Sequence, residues 1–443
     1  NTALGTYALD AATTANDNIA VGYAALGANT TGNNNIGVGA SALGASTTAS
    51  GNTAVGWKSQ LRTTTGSGNI SVGQNTLQNI TTANYNTAIG NAVLYNSTTS
   101  YNTGVGYNVL YASTTGASNT AVGAEALDNC TTGSSNVAVG SEALDDCTTG
   151  QQNTAVGTRA LQTSTTVSNQ TAIGYFALNA NTTGGENVAV GYIALQDNTT
   201  GDRNTALGTF SLENNTTGND NTAIGRNTLA ANTTASYNTA VGRDALASST
   251  TSPYNTAVGY LAGDAITTGS GHNACFGYNA GGSLTTGPFN TALGTLALNH
   301  ETTGQYNCMV GYSAGEHVVG GNYNVAVGFK AYEGSEGNTT ASNTTAIGYQ
   351  VLQALTTGGD NTALGYNAAT AVTTGIRNAI VGSQAGDAIT TGEENTCVGY
   401  IAGSALTTGS YNTAIGMGAL YSQTTESNNT AIGYKALEAN TGG

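Results

Sequence analysis

The sequence has little charge, and positive charge is scarcest. Only 7% of its 443 residues are charged, with 24 acidic residues against 9 basic ones. A protein that binds nucleic acid needs a basic surface that displaces counterions from the phosphates. We therefore expect no nucleic-acid partner.

Long apolar runs are also absent. Gly, Asn or Thr interrupts each run well before the roughly 18 apolar residues of a membrane-spanning helix, so we expect no membrane insertion of this segment. No charged-then-apolar signal segment stands at the start. The sequence begins and ends in register with an internal repeat and without atypical caps, and we therefore expect a segment of a longer fibre.

Residue types that carry catalysis or bind metals are few. The three histidines, His272, His300 and His317, lie in different copies of the repeat, and we expect them to be unrelated to one another. We expect no catalytic or metal-binding role for them. A phosphate-binding loop with its lysine is missing, and repetition leaves no unique pocket. The sequence thus predicts no enzyme, no metal site and no cofactor.

The 5 cysteines do not form a disulfide framework. Cys130 and Cys147 are a special case because they occupy the same position of adjacent copies. Stacking would bring their backbones about 5 Å apart, which is within disulfide range. Side chains stacked in parallel are not ideally angled for the bond, so the sequence leaves a disulfide and two free thiols as alternatives.

One repeated unit dominates the chain. Apolar residues make up 39% of it and recur at fixed intervals, which favours an ordered structure over disorder. Aligned copies give 26 repeats of N-T-A-[VIL]-G-Y-x-A-L-x-x-x-T-T-G-x-x, whose residues we number as positions 1 to 17. Position 5 is Gly and position 4 is apolar in every copy, and only Gln170 and Thr344 replace the Asn of position 1. The few changes in repeat length fall in the polar part.

The composition of the repeat excludes helices. Gly, two Thr and one or two Asn in each copy leave no uninterrupted helical stretch, whereas Thr-Ala-Val has strand character and the following Gly suits a bend. Seventeen residues suit one coil of a parallel β-solenoid, and 26 coils at about 4.8 Å would make a rod of roughly 120 Å. The sequence predicts an all-β fold, a single continuous solenoid domain over residues 1–443.

Stacking in register would place identical residues above one another. We predict structural ladders of Asn, Gly, Val and Leu, exemplified by Asn18, Asn35, Asn52, Gly22, Gly39, Gly56, Val21, Val38, Val55, Leu26 and Leu43. The Thr-Thr-Gly segment marks a second corner, with Thr30, Thr31, Thr47 and Thr48 as examples.

Variation inside the repeat identifies core positions. Position 9 is usually Leu, but Gly replaces it at Gly263, Gly281, Gly315, Gly386 and Gly403, and position 12 is apolar in the same five copies. Because a leucine-sized cavity costs several kcal/mol, we expect positions 9 and 12 to fill one interior volume. Position 3 is small, mostly Ala, with Cys275 and Cys397 as substitutes of similar bulk.

Two pairs of adjacent apolar positions suggest a second apolar face. Neighbouring residues of a strand point to opposite sides, so if positions 3 and 4 and positions 8 and 9 lie in strands, one member of each pair points outward. An exposed apolar face needs a partner. We expect self-association as a trimer or a filament bundle.

Position 6 is aromatic in many copies. Tyr occupies it in eleven, and representative residues are Tyr23, Trp57, Tyr192, Tyr260 and Tyr400. Such a row could stack as a ladder, line a subunit interface or offer a flat edge to a glycan.

The Thr pair has two functional interpretations besides the corner. Ice-binding faces use alternating Thr on one side of a strand, whereas these are consecutive, so ice binding is a remote alternative. Exposed Thr ladders would also accept O-linked glycans. Asn-x-Thr triplets such as Asn29-Thr30-Thr31 follow from the repeat itself.

The consensus resembles repeats of tail-fibre-like proteins of bacteria and phages, and its Asn-Thr-Ala-Val-Gly portion is similar to the head repeats of YadA-like trimeric autotransporter adhesins. The resemblance covers essentially the whole chain, although the coil is longer than that of the adhesin heads. It implies a left-handed parallel β-roll, often trimeric, on an extracellular stalk or fibre that contacts surfaces.

We therefore expect an extracellular structural fibre or filament that forms a stiff rod, with adhesion and glycosylation as further properties. The alternative is a phage tail fibre or trimeric adhesin that binds a receptor or cell-surface glycans. Residues 316–344 break the repeat, since the Thr pair is lost and three residues are added there, and we expect a binding loop or kink at this place.

Overall fold

The computed structural model describes residues 1–337 and 339–439. Two compact units are distinguished, Asn1–Asp220 and a second unit that begins at Asn221. The described residues form strands and turns without a helix, and their 26 parallel strands lie in stacked coils of about 17 residues. The all-β parallel solenoid is thereby confirmed, whereas one continuous domain over the whole chain stays a prediction.

Each coil contributes one short strand at positions 2 to 4, which extends to position 6 in Thr87–Asn91 and Thr103–Tyr107. In the first unit the strands β1 to β13 are Thr2–Leu4, Ile19–Val21, Ile36–Val38, Thr53–Val55, Ile70–Val72, Thr87–Asn91, Thr103–Tyr107, Thr120–Val122, Val137–Val139, Thr154–Val156, Thr171–Ile173, Val188–Val190 and Thr205–Leu207. In the second unit β14 to β26 are Thr222–Ile224, Thr239–Val241, Thr256–Val258, Ala274–Phe276, Thr291–Leu293, Cys308–Val310, Val325–Val327, Thr345–Ile347, Thr362–Leu364, Ala379–Val381, Thr396–Val398, Thr413–Ile415 and Thr430–Ile432.

Consecutive strands within each unit pair in parallel and in exact repeat register. Thr2 lies opposite Ile19, and Ala3 lies opposite Ala20. The register survives the changes in repeat length, because β16 still pairs with β17 and β20 with β21 through equivalent positions. The extra residues are therefore accommodated outside the strands, as the sequence predicts.

The Gly of position 5 follows the first three strand residues, at a point where two coils come very close. Gly56 has φ +136°, and a Cβ on it would lie within 2.4 Å of the Gly73 carbonyl oxygen of the next coil. An L-residue rarely adopts such a φ, and the neighbouring carbonyl leaves no room for a side chain. Both constraints recur in successive coils, which explains why every copy has Gly.

The segment after this Gly is a left-handed turn rather than a second strand. In the second coil, Ala24, Leu26 and Asn34 have φ of 50°, 50° and 58° at positions 7, 9 and 17. Bonds to both neighbouring coils hold this backbone, because the Ala24 N–H donates to the Thr6 carbonyl at 2.9 Å and the Leu26 N–H to the Ala42 carbonyl at 2.9 Å. The turn conformation thus depends on the coils above and below.

The core is filled from positions 3, 8 and 9. Ala20, Ala25 and Leu26 are fully buried. Positions 3 and 4 alternate as expected for a strand, and Val72 at position 4 is 38% exposed. Positions 8 and 9 do not alternate, because the positive φ of Leu26 lies in a turn and both side chains point inward. Of these two pairs of positions, the strand pair supplies an outward apolar row and the turn pair does not.

The copies with Gly at position 9 show how the interior volume is shared. A Cβ on Gly263 would lie 3.0 Å from Ile266 Cδ1, so position 12 occupies the space of the missing leucine. At Gly315 the space is taken by Met309 of position 3, whose sulfur would lie 2.7 Å from the added Cβ. Cys397 likewise approaches Gly403. Cys275 and Cys397 are therefore filling residues, larger than Ala, and not substitutes of similar bulk.

Candidate functional site

The position-1 asparagines form a buried amide ladder. Asn18, Asn35 and Asn52 are at most 1% exposed. The Asn35 backbone N–H donates to Asn18 Oδ1 at 2.9 Å, its Nδ2 donates to the Ala49 carbonyl at 2.8 Å, and its Oδ1 accepts the Asn52 N–H at 3.0 Å. Each amide therefore ties one coil to the next and closes its own coil.

The exceptions show what this ladder requires. Gln170 keeps both bonds, since its Oε1 accepts the Asn187 N–H at 3.2 Å and its Nε2 donates to the Gly184 carbonyl at 3.0 Å. The Thr344 side chain does not replace the amide, because its hydroxyl donates to the Ser342 carbonyl at 3.3 Å. The replacement by Thr falls in the irregular stretch.

Positions 2, 4 and 6 form an exposed strip of each unit, which we call the outer face. In β7 the buried Gly104 separates the outward residues Thr103 and Val105, and Tyr107 at position 6 is exposed. Val21, Val38 and Val55 of the predicted valine ladder lie half-buried on this face. Ile19 and Leu207 are 41% and 46% exposed. The face thus carries aliphatic, threonine and aromatic side chains.

The aromatic residues of position 6 are exposed, but their row is interrupted. Tyr192 stacks on Tyr175 with ring centroids 5.5 Å apart, whereas Tyr23 meets Tyr7 edge-on and Trp57 lies beneath the Lys58 ammonium. Tyr260 and Tyr400 are 41% and 49% exposed. The longest stacked run at this position comprises Tyr312, Phe329, Tyr349 and Tyr366.

A longer aromatic ladder lies at the last position of the repeat, where sequence analysis did not identify one. Six rings stack with centroids 4.7 to 5.2 Å apart, and they belong to Tyr237, Tyr254, His272, Phe289, Tyr306 and Tyr323. All six residues are exposed. Because each inner ring is covered by neighbours on both faces, this six-ring ladder presents mainly ring edges to solvent. The sequence does contain a signal for this ladder, because an aromatic residue stands directly before the next Asn in these consecutive copies.

The two threonines of the corner differ in their roles. The Thr30 hydroxyl donates to the Thr47 carbonyl at 3.0 Å, and the Thr47 hydroxyl continues this row to Thr64 at 3.2 Å. Thr31 and Thr48 are exposed. Of the four residues predicted for a corner ladder or glycosylation, the first of each pair forms the ladder and the second faces solvent.

The Asn-x-Thr triplet at Asn29 does not offer an accessible amide. Asn29 is fully buried, its Oδ1 accepts the Gly32 N–H at 3.0 Å and its Nδ2 donates to the Gly32 carbonyl at 3.0 Å. An N-linked glycan at Asn29 is therefore incompatible with the folded coil.

Cys130 and Cys147 occupy stacked core positions as free, buried thiols. Each sulfur lies 3.6 Å from a carbonyl oxygen of its own coil, that of Gly133 or Gly150. A hydrogen bond with Cys130, together with burial, raises the pKa of the Cys147 thiol. Both thiols are fully buried, and buried structural cysteines are inert.

His300 and His317 occupy position 11 of consecutive coils, so the expectation that the histidines are unrelated is wrong. Their ring centroids lie 4.9 Å apart, and His300 Nδ1 is 3.0 Å from the Glu316 carbonyl. Among the described residues, one group of three side chains could hold a metal ion, and it consists of Glu316, His317 and Glu333. His272 belongs to the six-ring ladder instead.

The irregular stretch 316–344, apart from Asn338, which lies outside the described residues, keeps a core of unusual composition. Tyr332 replaces the leucine of position 9, is fully buried and donates from its hydroxyl to the Ala341 carbonyl at 2.8 Å. Two coils earlier in the chain, Glu301 is also buried, and its Oε1 accepts backbone N–H groups of Thr302, Gly304 and Gly320 at 2.6 to 2.9 Å. Burial raises the pKa of Glu301.

The fold and its ladders define a tandem-coil parallel β-solenoid. Comparison with models of protein families finds no matching family, and comparison with curated proteins finds no match. Within the described ranges, no helical segment has the length and apolarity of a membrane span.

Proposed function

We propose that the chain is a structural segment of an extracellular fibre, a stiff rod of stacked coils. The observation that carries this proposal is the repetition of bonds between neighbouring coils at separate places around the coil. The strand ladder, the buried Asn amides and the Thr corner each contribute, as shown by Thr2 opposite Ile19, Asn35 on Asn18 and Thr30 on Thr47.

Stiffness follows from the placement of these bonds. Bending a stack of coils stretches the bonds on its convex side. Because bonds lie at the strand with its adjacent amide ladder, at the left-handed turn and at the corner, some of them are stretched whichever way the stack bends. Each contributes roughly 0.5–1.5 kcal/mol. A resisting force in every direction suits a fibre that must keep its reach.

The outer face supports self-association as a trimer or bundle. Tyr107 and Tyr175 are 53% and 47% exposed, and half of such a side chain is roughly 100 Å². About eight coils with one exposed aromatic each would supply the roughly 800 Å² per partner of a stable interface. A second copy of the chain offers the same repeat spacing, and the resemblance to trimeric fibres agrees with this partner.

Two features support an adhesive and glycosylated surface as a second property. Thr31 and Thr48 expose hydroxyl groups that O-linked glycans could modify, and a chain with 7% charged residues would gain solubility from them. The six-ring ladder offers an exposed aromatic strip for contact with cell-surface glycans. A receptor-binding tail fibre or adhesin is the corresponding alternative function.

The experiment is cryo-electron microscopy of the native particles, combined with sedimentation of the purified chain. We expect rods with more than one chain in each cross-section and extra density on Thr31 or Thr48. Tyr192→Lys on the outer face should reduce the sedimentation coefficient, whereas Thr48→Lys at the corner should not. Compact particles without rods would refute the fibre, and rods with a single chain that sediment alike in both variants would refute self-association.

A further inference from the structure

Two neighbouring coils of the second unit bring an imidazole and two carboxylates together. One candidate ligand atom from each of Glu316, His317 and Glu333 lies within 4.8 Å of the other two. Glu316 and His317 follow β19, and Glu333 follows β20 in the next coil. The His317 N–H donates to the Glu333 carbonyl at 2.9 Å, so a backbone bond fixes the spacing of the two coils at this point.

The imidazole has an unused ring nitrogen. His317 Nδ1 is buried and has no hydrogen-bond partner among the described residues. The His300 ring packs against the His317 ring at 4.9 Å, and His300 Nδ1 is 3.0 Å from the Glu316 carbonyl. A buried nitrogen without a partner costs free energy, and a metal ion bound to it would satisfy it.

Neighbouring side chains orient the carboxylate of Glu333. Lys330 Nζ donates to Glu333 Oε1 at 2.6 Å, and Gln353 Nε2 donates to Glu333 Oε2 at 2.6 Å. A carboxylate oxygen has two lone pairs, so each oxygen keeps one for a further ligand. Hydrogen bonds of this kind commonly orient metal ligands. Lys330 also offsets part of the repulsion between Glu333 and Glu316.

We infer that Glu316, His317 and Glu333 bind a divalent transition-metal ion, and that Zn²⁺ fits them best. Zn²⁺ accepts imidazole and carboxylate ligands together, and three protein ligands leave a position for water. The imidazole argues against Ca²⁺ and Mg²⁺, which take oxygen ligands. The ion would join two coils where the repeat loses its Thr pair and gains three residues, and would stabilise that irregular stretch through its binding energy.

Calorimetric titration of the tag-free full chain with ZnCl₂ tests this site. The chain should carry Cys308→Ser, because Cys308 is the one cysteine that is not fully buried. We expect one ion per chain. His317→Ala and Glu333→Gln should each weaken zinc binding at least roughly 10-fold. His272→Ala is the matched control, since that histidine lies in the six-ring ladder, and it should bind zinc as the parent does.

Hydrogen exchange gives a second readout on the same proteins. Zn²⁺ should slow amide exchange in peptides covering residues 316–334 of the parent and of His272→Ala, and should leave Glu333→Gln unchanged. Circular dichroism verifies that each variant is folded, and Glu333→Gln decides the matter where His317→Ala does not fold. No saturable zinc binding, or equal affinity in the parent and Glu333→Gln, would overturn the inference.

Discussion

The close approach between coils at position 5 gives the sharpest stability prediction, a comparison of Gly56→Ala with Gly51→Ala. Both glycines have positive φ, +136° for Gly56 and +66° for Gly51. A Cβ on Gly51 would meet only the Gly68 nitrogen at 3.9 Å, whereas a Cβ on Gly56 would lie within 2.4 Å of the Gly73 carbonyl oxygen and 2.6 Å of its carbon. The two changes therefore differ in contact with the next coil and in backbone strain, because φ +66° lies in the left-handed region whereas φ +136° lies outside it.

The expected costs follow from these distances. Ala in a left-handed conformation costs roughly 1–2 kcal/mol, partly offset by a less flexible unfolded chain, so Gly51→Ala should cost about 1 kcal/mol. Gly56→Ala adds overpacking of roughly 1–3 kcal/mol to backbone strain of similar size, about 2–6 kcal/mol in total. Relief would require the coils to separate, which would lengthen the 2.7 Å bond from the Gly73 N–H to the Val55 carbonyl.

Hydrogen exchange of the full chain is the suitable assay, because a coil contacts only its neighbours and the damage should be local. Peptides within residues 52–85 should exchange at least roughly 30-fold faster in Gly56→Ala and about 5-fold faster in Gly51→Ala, since 1.4 kcal/mol corresponds to tenfold. Peptides within residues 120–139 serve as the internal control. Equal exchange in the two variants would show that the carbonyl contact does not constrain the coil.

Three further changes test the ladder, the shared core volume and a perturbed carboxylate. Asn136→Ala should cost about 2–4 kcal/mol of stability by leaving buried backbone groups unpaired, and Asn136→Gln should cost less. Equal acceleration of amide hydrogen exchange by the two variants in the following coil would contradict this. Gly263→Leu should destabilise the folded chain through contact with Ile266. Adding Ile266→Asn restores the common residues of positions 9 and 12 and should recover at least about 1 kcal/mol of stability in a double-mutant cycle. Additive costs of the two changes would argue against a shared volume. Burial, followed by the charges of nearby carboxylates, raises the pKa of Asp145 to about 6. The folded state then holds this proton more tightly than the unfolded state, so the stability that it adds below pH of about 4 is lost as the pH rises to about 6. Asp145→Asn should flatten this pH dependence of stability by up to about 1 kcal/mol after allowance for solvent screening. Thermal unfolding at pH 4 and pH 7 measures it, and an unchanged slope in the variant would contradict the shift.

The repeat spacing was sufficient to predict the parallel coils and the ladders of Asn18 and Thr30. Exact periodicity converts a position in the sequence into a position in space, so these residues could be placed without knowledge of side-chain geometry. The same reasoning applied to Gly263 and Ile266, whose paired change identified the core. The extra role of Met309 was not recognised, because volume sharing among three positions is visible only once their side chains meet.

Other features depend on conformation that residue types do not indicate. Leu26 has no preference for positive φ, and bonds from the neighbouring coils hold it there. Its inward direction therefore could not be obtained from strand alternation. The stacking of His272 in an aromatic row was missed for two reasons. One added residue precedes Asn273, which shifts the count within the repeat, and a histidine was not grouped with the tyrosines. The pairing of His300 with His317 required only counting within the repeat.

The left-handed residues also determine how such a chain can fold. Three of them in a coil, such as Ala24, Leu26 and Asn34, carry roughly 3–6 kcal/mol of backbone strain before any neighbour is present. A lone coil has no partner to offset that strain, whereas a coil laid on a finished one gains its bonds at once. We expect growth by winding onto an existing end, so the slow event is the first stable pair of coils. A chain that folds from one end would meet this requirement coil by coil.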